Sequence, residues 1–160
     1  MDKKASISQA FVYIITAIVI IVTLMFGYQA VDWFIDKQGD VNIAEFKTSF
    51  GSDISGLMNE YGSLKKLQYD VPGSFSKICF IDYTQSNNPT TSGEPQYVID
   101  TANQGDGPNI FLMKSDGPMS FNVDNIELKS GEKVECMNIT SGSFRVIAES
   151  KGDKILLSKP

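Results

Sequence analysis

One long apolar stretch near the N-terminus dominates the hydrophobic pattern of the chain. Residues 5–31 carry no charged side chain, and Thr16 and Thr23 interrupt an otherwise apolar and aromatic run from Ala10 to Phe26. A helix rises about 1.5 Å per residue, so this run is long enough to cross a hydrocarbon core of about 30 Å. Lipid offers the backbone no hydrogen-bond partner, so a helix is expected despite the many β-branched residues. The pattern predicts a transmembrane helix over residues 6–38.

The charges on either side of this helix predict its orientation. Lys3 and Lys4 precede the uncharged run of residues 5–31, whereas Asp32, Asp36 and Asp40 follow that run. By the positive-inside rule, the N-terminus with its basic leader of residues 1–5 is cytoplasmic, and the residues after about 32 of this single-pass protein lie outside the cell membrane. A cleaved secretory signal is the alternative, but the uncharged run is about twice the usual apolar region of about 7 to 15 residues. No small-x-small cleavage site lies between the end of the apolar run at Phe26 and Asp32.

A second apolar pattern, with helical spacing, follows the membrane segment. Gly39-Asp40 interrupts the first pattern, and Asn42 with Glu45 has the spacing of a capping box. The apolar stripe that follows comprises Ile43, Phe46, Phe50, Ile54, Leu57 and Tyr61. Steps of three and four residues place these side chains on one helix face. We predict a second, amphipathic helix within residues 39–63, covered either by the following domain or by a neighbouring subunit.

From residue 64 onward, short apolar and β-branched runs alternate with turn signals. The predicted strands are Leu67 to Val71, Phe75 to Tyr83, Tyr97 to Ile99, Asn109 to Lys114, Met119 to Val123, Ile126 to Lys129, Lys133 to Asn138, Ser143 to Glu149 and Lys154 to Ser158. Their spacing is typical of an antiparallel β-sandwich or barrel-like domain. Residues 84–95 are polar and rich in turn formers, which indicates a long surface loop. The predicted fold class is α+β, with residues 64–160 as an extracellular β-domain.

Composition narrows the function classes. The chain has no histidine, a net charge of −5 and Arg145 as its single arginine. Histidine-based triads and most zinc sites are therefore excluded, and nucleic acid is not expected as a partner.

The acidic residues do not form a recognisable enzyme or metal motif. Asp100, Asn103, Asp106 and Asn109 surround two glycines, but their spacing fails the EF-hand pattern, so a solvated turn is preferred over a Ca²⁺ site. Nothing in the sequence places Asp70 and Asp82 face to face as a glycosidase pair would require. We therefore predict no catalytic residue, no metal ion and no cofactor, and the protein is not expected to be an enzyme.

Two chemical features fall within the predicted strands. Cys79 and Cys136 are the two cysteines, and outside a membrane an even pair is most economically a disulfide. A cross-link over a loop of this length contributes about 4 kcal/mol in the chain-entropy model, and two buried free thiols are the alternative. Asn138-Ile-Thr forms an N-x-[ST] sequon on the predicted outer side, which makes Asn138 a glycosylation candidate.

Small and polar residues recur along one side of the apolar helix. Gln9, Thr16, Thr23 and Ala30 are spaced by seven, and Gly27 lies near the same face. In lipid such residues let helices approach closely and hydrogen-bond, so this stripe is a candidate association seam with a second copy or a related subunit. The alternative is that both threonine hydroxyls bond back to a carbonyl one turn earlier.

The residues around the start of the apolar helix resemble the class III signal of archaeal type IV pilin-like precursors. Lys3-Lys4-Ala5-Ser6-Ile7-Ser8-Gln9-Ala10-Phe11 has the basic pair, the small residue and the retained apolar helix of that signal. The resemblance implies cleavage by a prepilin peptidase between Ala5 and Ser6. Ser8 and Phe11 then match the family's third and sixth mature positions, whereas the fifth holds Ala10 where glutamate is frequent.

The strand region is similar in layout to single-pass archaeal proteins that combine a pilin-like anchor with a small β-rich ectodomain. The stretch from Val71 to Asp82, with Asn109 to Leu112 and Glu135-Cys136, carries this similarity. It implies a structural subunit of a cell-surface filament or pseudopilus, with membrane lipid and other pilin-like subunits as partners of the N-terminal helix. The alternative function is a permanently tethered extracellular binding module that recognises its target through its loops.

Overall fold

The chain divides into two compact units, Met1–Val41 and Asn42–Pro160. The computed structural model describes residues 3–71, 74–87 and 93–160, with side chains described for residues 11–31 and, outside those gaps, from residue 43 onward. The described helices are α1 (Lys3–Met58) and α2 (Gln96–Gln104). The described strands are β1 (Leu64–Asp70), β2 (Phe75–Ile81), β3 (Ile110–Lys114), β4 (Gly117–Phe121), β5 (Ile126–Leu128), β6 (Val134–Asn138), β7 (Ser143–Ser150) and β8 (Ile155–Ser158). The α+β class is thus confirmed.

The first unit contains the apolar span of α1. Residues Phe11–Val31 have a mean hydropathy of 2.4, and none of the span is buried within this chain. At about 1.5 Å per residue the span covers the thickness of a bilayer core. By length and composition this helix fits a membrane anchor, and a signal sequence near the N-terminus has the same properties.

The amphipathic stripe lies in the C-terminal part of α1 rather than in a helix of its own. Helical backbone continues through Gly39-Asp40, so Asn42 is not the start of a helix. A glycine inside a helix costs only about 1 kcal/mol, which the hydrogen bonds on either side offset. The helix ends at Met58 in a turn closed by Gly62 with φ 78°, and Tyr61 lies beyond the helix and is 81% exposed. Tyr61 is therefore not part of the buried stripe.

The second unit contains two four-stranded sheets. The first has the order β1-β7-β8-β5 and the second the order β4-β3-β2-β6. All pairs are antiparallel except β5 with β8, which is parallel, so the first sheet is mixed. The described strands form two open sheets and do not close into a barrel.

Aromatic side chains of α1 form the centre of the main core. The ring of Phe46 lies 5.6 to 5.7 Å from those of Tyr69 and Phe144 in the first sheet and Phe121 in the second. Phe50 has no exposed surface and contacts Tyr69 as well. The predicted covering of the stripe by the β-domain is thus confirmed, because both sheets pack against the same helical segment.

A smaller apolar cluster covers the opposite face of the second sheet. Val98 and Ala102 of α2 are fully buried against Cys79 and Phe111. The predicted strand from Tyr97 to Ile99 is wrong, because this segment forms the first turn of α2. Val98 and Ala102 are four residues apart, so a helix places both on the sheet, whereas a strand of three residues would have left the sheet uncovered.

Candidate functional site

The apolar span of α1 is the largest surface of the described chain without a covering element. Thr16 and Thr23 each donate a 2.8 Å hydrogen bond to the carbonyl four residues earlier, as the alternative to an association seam predicted. Gly27 has open space where a side chain would lie, and Ala30 is exposed, so neither is packed within this chain. Ala5, Ser6 and Gln9 lie outside the residues whose side chains are described. The seam and the processing site stay predictions.

The predicted disulfide is confirmed. Cys79 of β2 and Cys136 of β6 lie directly opposite each other in the antiparallel ladder, with Cα atoms 4.0 Å apart. Cys79 is fully buried and Cys136 is 7% exposed. The cross-link therefore joins an inner strand to an edge strand under the cover of α2.

Glu94 approaches this disulfide, a contact that the sequence gave no reason to expect. Its carboxylate oxygen and the two sulfurs lie within 4.8 Å of one another. The Oε2 atom of Glu94 is buried and has no hydrogen-bond partner in the described structure. Glu94 lies in the polar segment predicted to be a surface loop, and the structure instead turns its carboxylate toward the interior.

The candidate Ca²⁺ ligands do not converge. Asp100 accepts a hydrogen bond from Gln96 on the surface of α2, and Asp106 is exposed. The Asn109 side chain is buried and exchanges two hydrogen bonds, of 2.7 and 2.9 Å, with the backbone of Val123. Its amide thus links the residue before β3 to the segment that follows β4, and both of its polar atoms are hydrogen-bonded.

Asp82 is a structural carboxylate and does not form a pair with Asp70. It is fully buried, and its two oxygens accept hydrogen bonds from Thr84, Gln85 and the backbone N–H of Leu128. Asp70 is exposed on β1.

The glycosylation candidate lies on the surface. Asn138 is the last residue of edge strand β6 and is exposed, as is Thr140 of its sequon. Both side chains therefore meet the first requirement of a modification site, which is access.

Two sets of side-chain hydrogen bonds connect parts of the second unit. The Tyr69 hydroxyl donates a 2.6 Å hydrogen bond to Asp53, joining β1 to α1. Burial, and then Asp53, raise the pKa of Tyr69 far above its usual value. Glu149 accepts hydrogen bonds from Lys129 and Lys151, and these bonds lower its pKa to about 2.

Two grooves flank the C-terminal part of α1. The first, of about 410 Å³, is lined by Glu45 and Ser49 of α1 and by Gln68 and Asp70 of β1, among others. The second, of about 450 Å³, lies between α1 and the segment 121–125. Their volumes are in the range of small-molecule sites.

Comparison of the chain with protein-family models, curated proteins and solved structures finds no match. The described structure combines an apolar N-terminal helix with a disulfide-linked β-rich domain, an arrangement that is consistent with a pilin-like architecture.

Proposed function

We propose that this chain is a pilin-like structural subunit of a cell-surface filament or pseudopilus, anchored by α1 with its β-domain outside the cell. One observation carries the proposal. The single helix α1 combines an apolar span that is unburied in this chain with a C-terminal stripe in the core of the β-domain. A helix with both parts can lie in a membrane or a filament core at one end and carry the β-domain at the other.

The apolar span of α1 can leave water in two environments, a lipid bilayer or a bundle of helices. Burial of apolar area is worth about 25 cal/mol per Å² relative to water, in lipid or in a bundle of helices alike. Transfer from lipid to a helix bundle therefore has little hydrophobic driving force, and packing must decide between them. The face with Thr16, Thr23 and Gly27 supplies small and hydroxyl groups, and both hydroxyls already satisfy their donors within the helix. Close packing there does not bury an unpaired group.

The β-domain has features that suit a location outside the cell. Its main core joins both sheets and the C-terminal part of α1, and the Cys79–Cys136 disulfide cross-links the second sheet. Disulfides persist in oxidising compartments and are rare in the reducing cytosol, so this bond supports an extracytoplasmic location.

The test is the intact mass of the protein from native membranes and from the sheared surface fraction, with sequencing of the N-terminal peptide. We expect a mature chain that starts at Ser6 and is enriched in the sheared fraction. The Lys3→Ala/Lys4→Ala variant should retain its leader. Lys65→Ala/Lys66→Ala, which removes a second lysine pair at two exposed positions of β1, should be processed normally.

A start at Met1 or Asp2, with a monomeric or small particle and no filaments, would contradict the filament proposal. A fixed anchor for an extracellular binding module would then be the better function. The groove beside Glu45 and Asp70 favours this alternative, because it is a concave surface lined by both polar and aromatic side chains, next to the C-terminal part of α1.

A further inference from the structure

The arrangement of Cys79, Cys136 and Glu94 has the chemistry of an incomplete metal site. Two sulfur atoms and a carboxylate oxygen lie within 4.8 Å of one another, and elsewhere in the described chain no other group of three such ligands comes together. In the disulfide form the sulfurs carry no charge to bind a cation. We propose that, once the disulfide is reduced, Cys79, Cys136 and Glu94 bind a thiophilic divalent cation of the Zn²⁺ class.

The backbone holds the two sulfurs together independently of their bond. Strand β2 is hydrogen-bonded to β6 on one side and to β3 on the other, and the β2–β6 register runs from Lys77↔Asn138 to Ile81↔Val134. Reduction removes the S–S bond but none of these ladder hydrogen bonds. Both thiols therefore stay on the same face, directly opposite each other, so both can bind the same metal ion.

Glu94 is held over the cysteines by the segment that leads into α2. The Lys77 ammonium donates a 3.0 Å hydrogen bond to the Gly93 carbonyl, which ties this segment to β2. On the other side, Val98 and Ala102 fix α2 to the sheet. The carboxylate is thus placed by contacts that do not involve its own oxygens.

The unpaired oxygen of Glu94 is the second observation that indicates a ligand. Buried carboxylate oxygens almost always accept a hydrogen bond, and in the described structure Glu94 Oε2 accepts none. A cation bound between the carboxylate and two thiolates would satisfy it. Glu94 and Cys136 both retain some exposure, and Cys136 lies on an edge strand, so an ion has a route of entry.

Reduction of the Cys79–Cys136 bond requires a reductant, which here is a dithiol. It transfers two electrons and two protons to the Cys79–Cys136 bond, is itself oxidised to a disulfide, and leaves two thiols. Binding of the cation then releases one proton from each thiol and forms two metal–sulfur bonds. Two thiolates and one carboxylate give three protein ligands, which leaves one position of a tetrahedral ion for water. This inference does not depend on the proposed filament function.

The test is titration of the full chain in detergent micelles with Cd²⁺ alone, before and after reduction by a dithiol that is then removed without oxygen. We expect the reduced protein to bind one equivalent, with an ultraviolet cadmium–thiolate absorption and release of two protons. The oxidised protein should bind none at the same concentrations. Glu94→Gln should weaken Cd²⁺ binding by about 10-fold or more, by analogy with the loss of supporting groups in metal sites.

Asp116→Asn is the matched control, because it removes a carboxylate that is 80% exposed on a turn outside the cluster. Binding by this variant should equal that of the wild type. The proposal is overturned if the reduced wild type binds no Cd²⁺ although alkylation of a separate sample shows that both thiols are free. It is also overturned if Glu94→Gln binds as tightly as the wild type. If reduction unfolds the domain, restoration of the β-sheet circular dichroism by Cd²⁺ supports the site, and failure to restore it overturns the proposal.

Discussion

Asp82 is a polar residue that links the two sheets directly. It follows β2 in the second sheet, and its Oδ2 atom accepts a 3.0 Å hydrogen bond from the N–H of Leu128 in the first sheet. The remaining donors come from the turn that the aspartate begins. The sequence shows only an aspartate after a run of apolar residues, and its partners become visible only when both sheets are in place.

Replacing Asp82 should destabilise the β-domain strongly. In Asp82→Ala the buried N–H of Leu128 loses its acceptor, and we expect the free energy of unfolding to fall by about 3 kcal/mol. Urea denaturation with the disulfide intact measures this. Asp100→Ala, which removes an exposed carboxylate that accepts a hydrogen bond from Gln96 in its own helix, should change stability by less than about 0.5 kcal/mol. Equal effects of the two substitutions would contradict the structural role of Asp82.

The acid stability of the protein should depend on Glu149. Its pKa in the folded state is lowered to about 2 by hydrogen bonds from Lys129 and Lys151, below the usual value of 4.5. The stabilisation is therefore fully present above about pH 4.5 and is lost as the pH falls toward 2. We expect Glu149→Gln to be less stable than the wild type at pH 7, with the difference shrinking between pH 4.5 and 2. Denaturant titrations over this pH range test the effect.

The matched comparison for Glu149 is the double variant Lys129→Met/Lys151→Met. It removes the hydrogen bonds that lower the pKa while it retains the carboxylate, and its stability should therefore lose the same acid dependence. A wild-type acid profile in this variant would show that other groups lower the pKa of Glu149.

At the scale of elements, α1 has two kinds of surface along one helix. Phe50 is completely buried among rings of α1 and both sheets, whereas Phe26 is 68% exposed in the apolar span. The same residue type therefore supports the fold at one position and faces the environment at the other.

This difference predicts that replacing phenylalanine by alanine will have a large effect on stability at one position and none at the other. Phe50→Ala should lower the free energy of unfolding of the β-domain by about 3 to 5 kcal/mol, because it removes a buried ring and leaves a cavity. Phe26→Ala should leave that free energy unchanged. Denaturation of the full chain in detergent, followed by the near-ultraviolet signal of the domain, measures both. A large loss in Phe26→Ala would show that the apolar span contributes to folding of the β-domain.

The two helices also show where local patterns mislead. Gly39-Asp40 has the local signature of a break, yet the helix continues because one glycine is a small penalty against two helical neighbours. Residues 97–99 include Val98 and Ile99, which favour a strand locally, yet they form a helix because the far face of the second sheet needs a cover. In both places the longer-range context outweighs the local preference.

At the scale of the whole molecule, the disulfide constrains the unfolded chain over a long loop. It connects residues 57 positions apart, and such a cross-link removes conformational freedom from the unfolded state. We expect Cys79→Ala/Cys136→Ala to lose about 2 to 4 kcal/mol and to melt several degrees lower than the wild type. The comparison is made by thermal melts under non-reducing conditions. An unchanged melting temperature would contradict a stabilising role for this bond.

The sequence by itself determined the features that follow from composition and period. These are the apolar span, the amphipathic stripe from Ile43 to Leu57, the approximate positions of the eight described strands and the Cys79–Cys136 pair. Each is a local property, because a helix or strand presents its residues at fixed intervals whatever it packs against.

Only the tertiary structure decided how the elements pair and what their side chains meet. The parallel pairing of β5 with β8, the packing of Phe46 against both sheets and the turn of Glu94 toward the disulfide each join residues far apart in sequence. Such contacts depend on which surfaces remain to be covered once the other elements are in place, and no short window of sequence contains that information. For the same reason, the sequence identified both cysteines and not the carboxylate beside them.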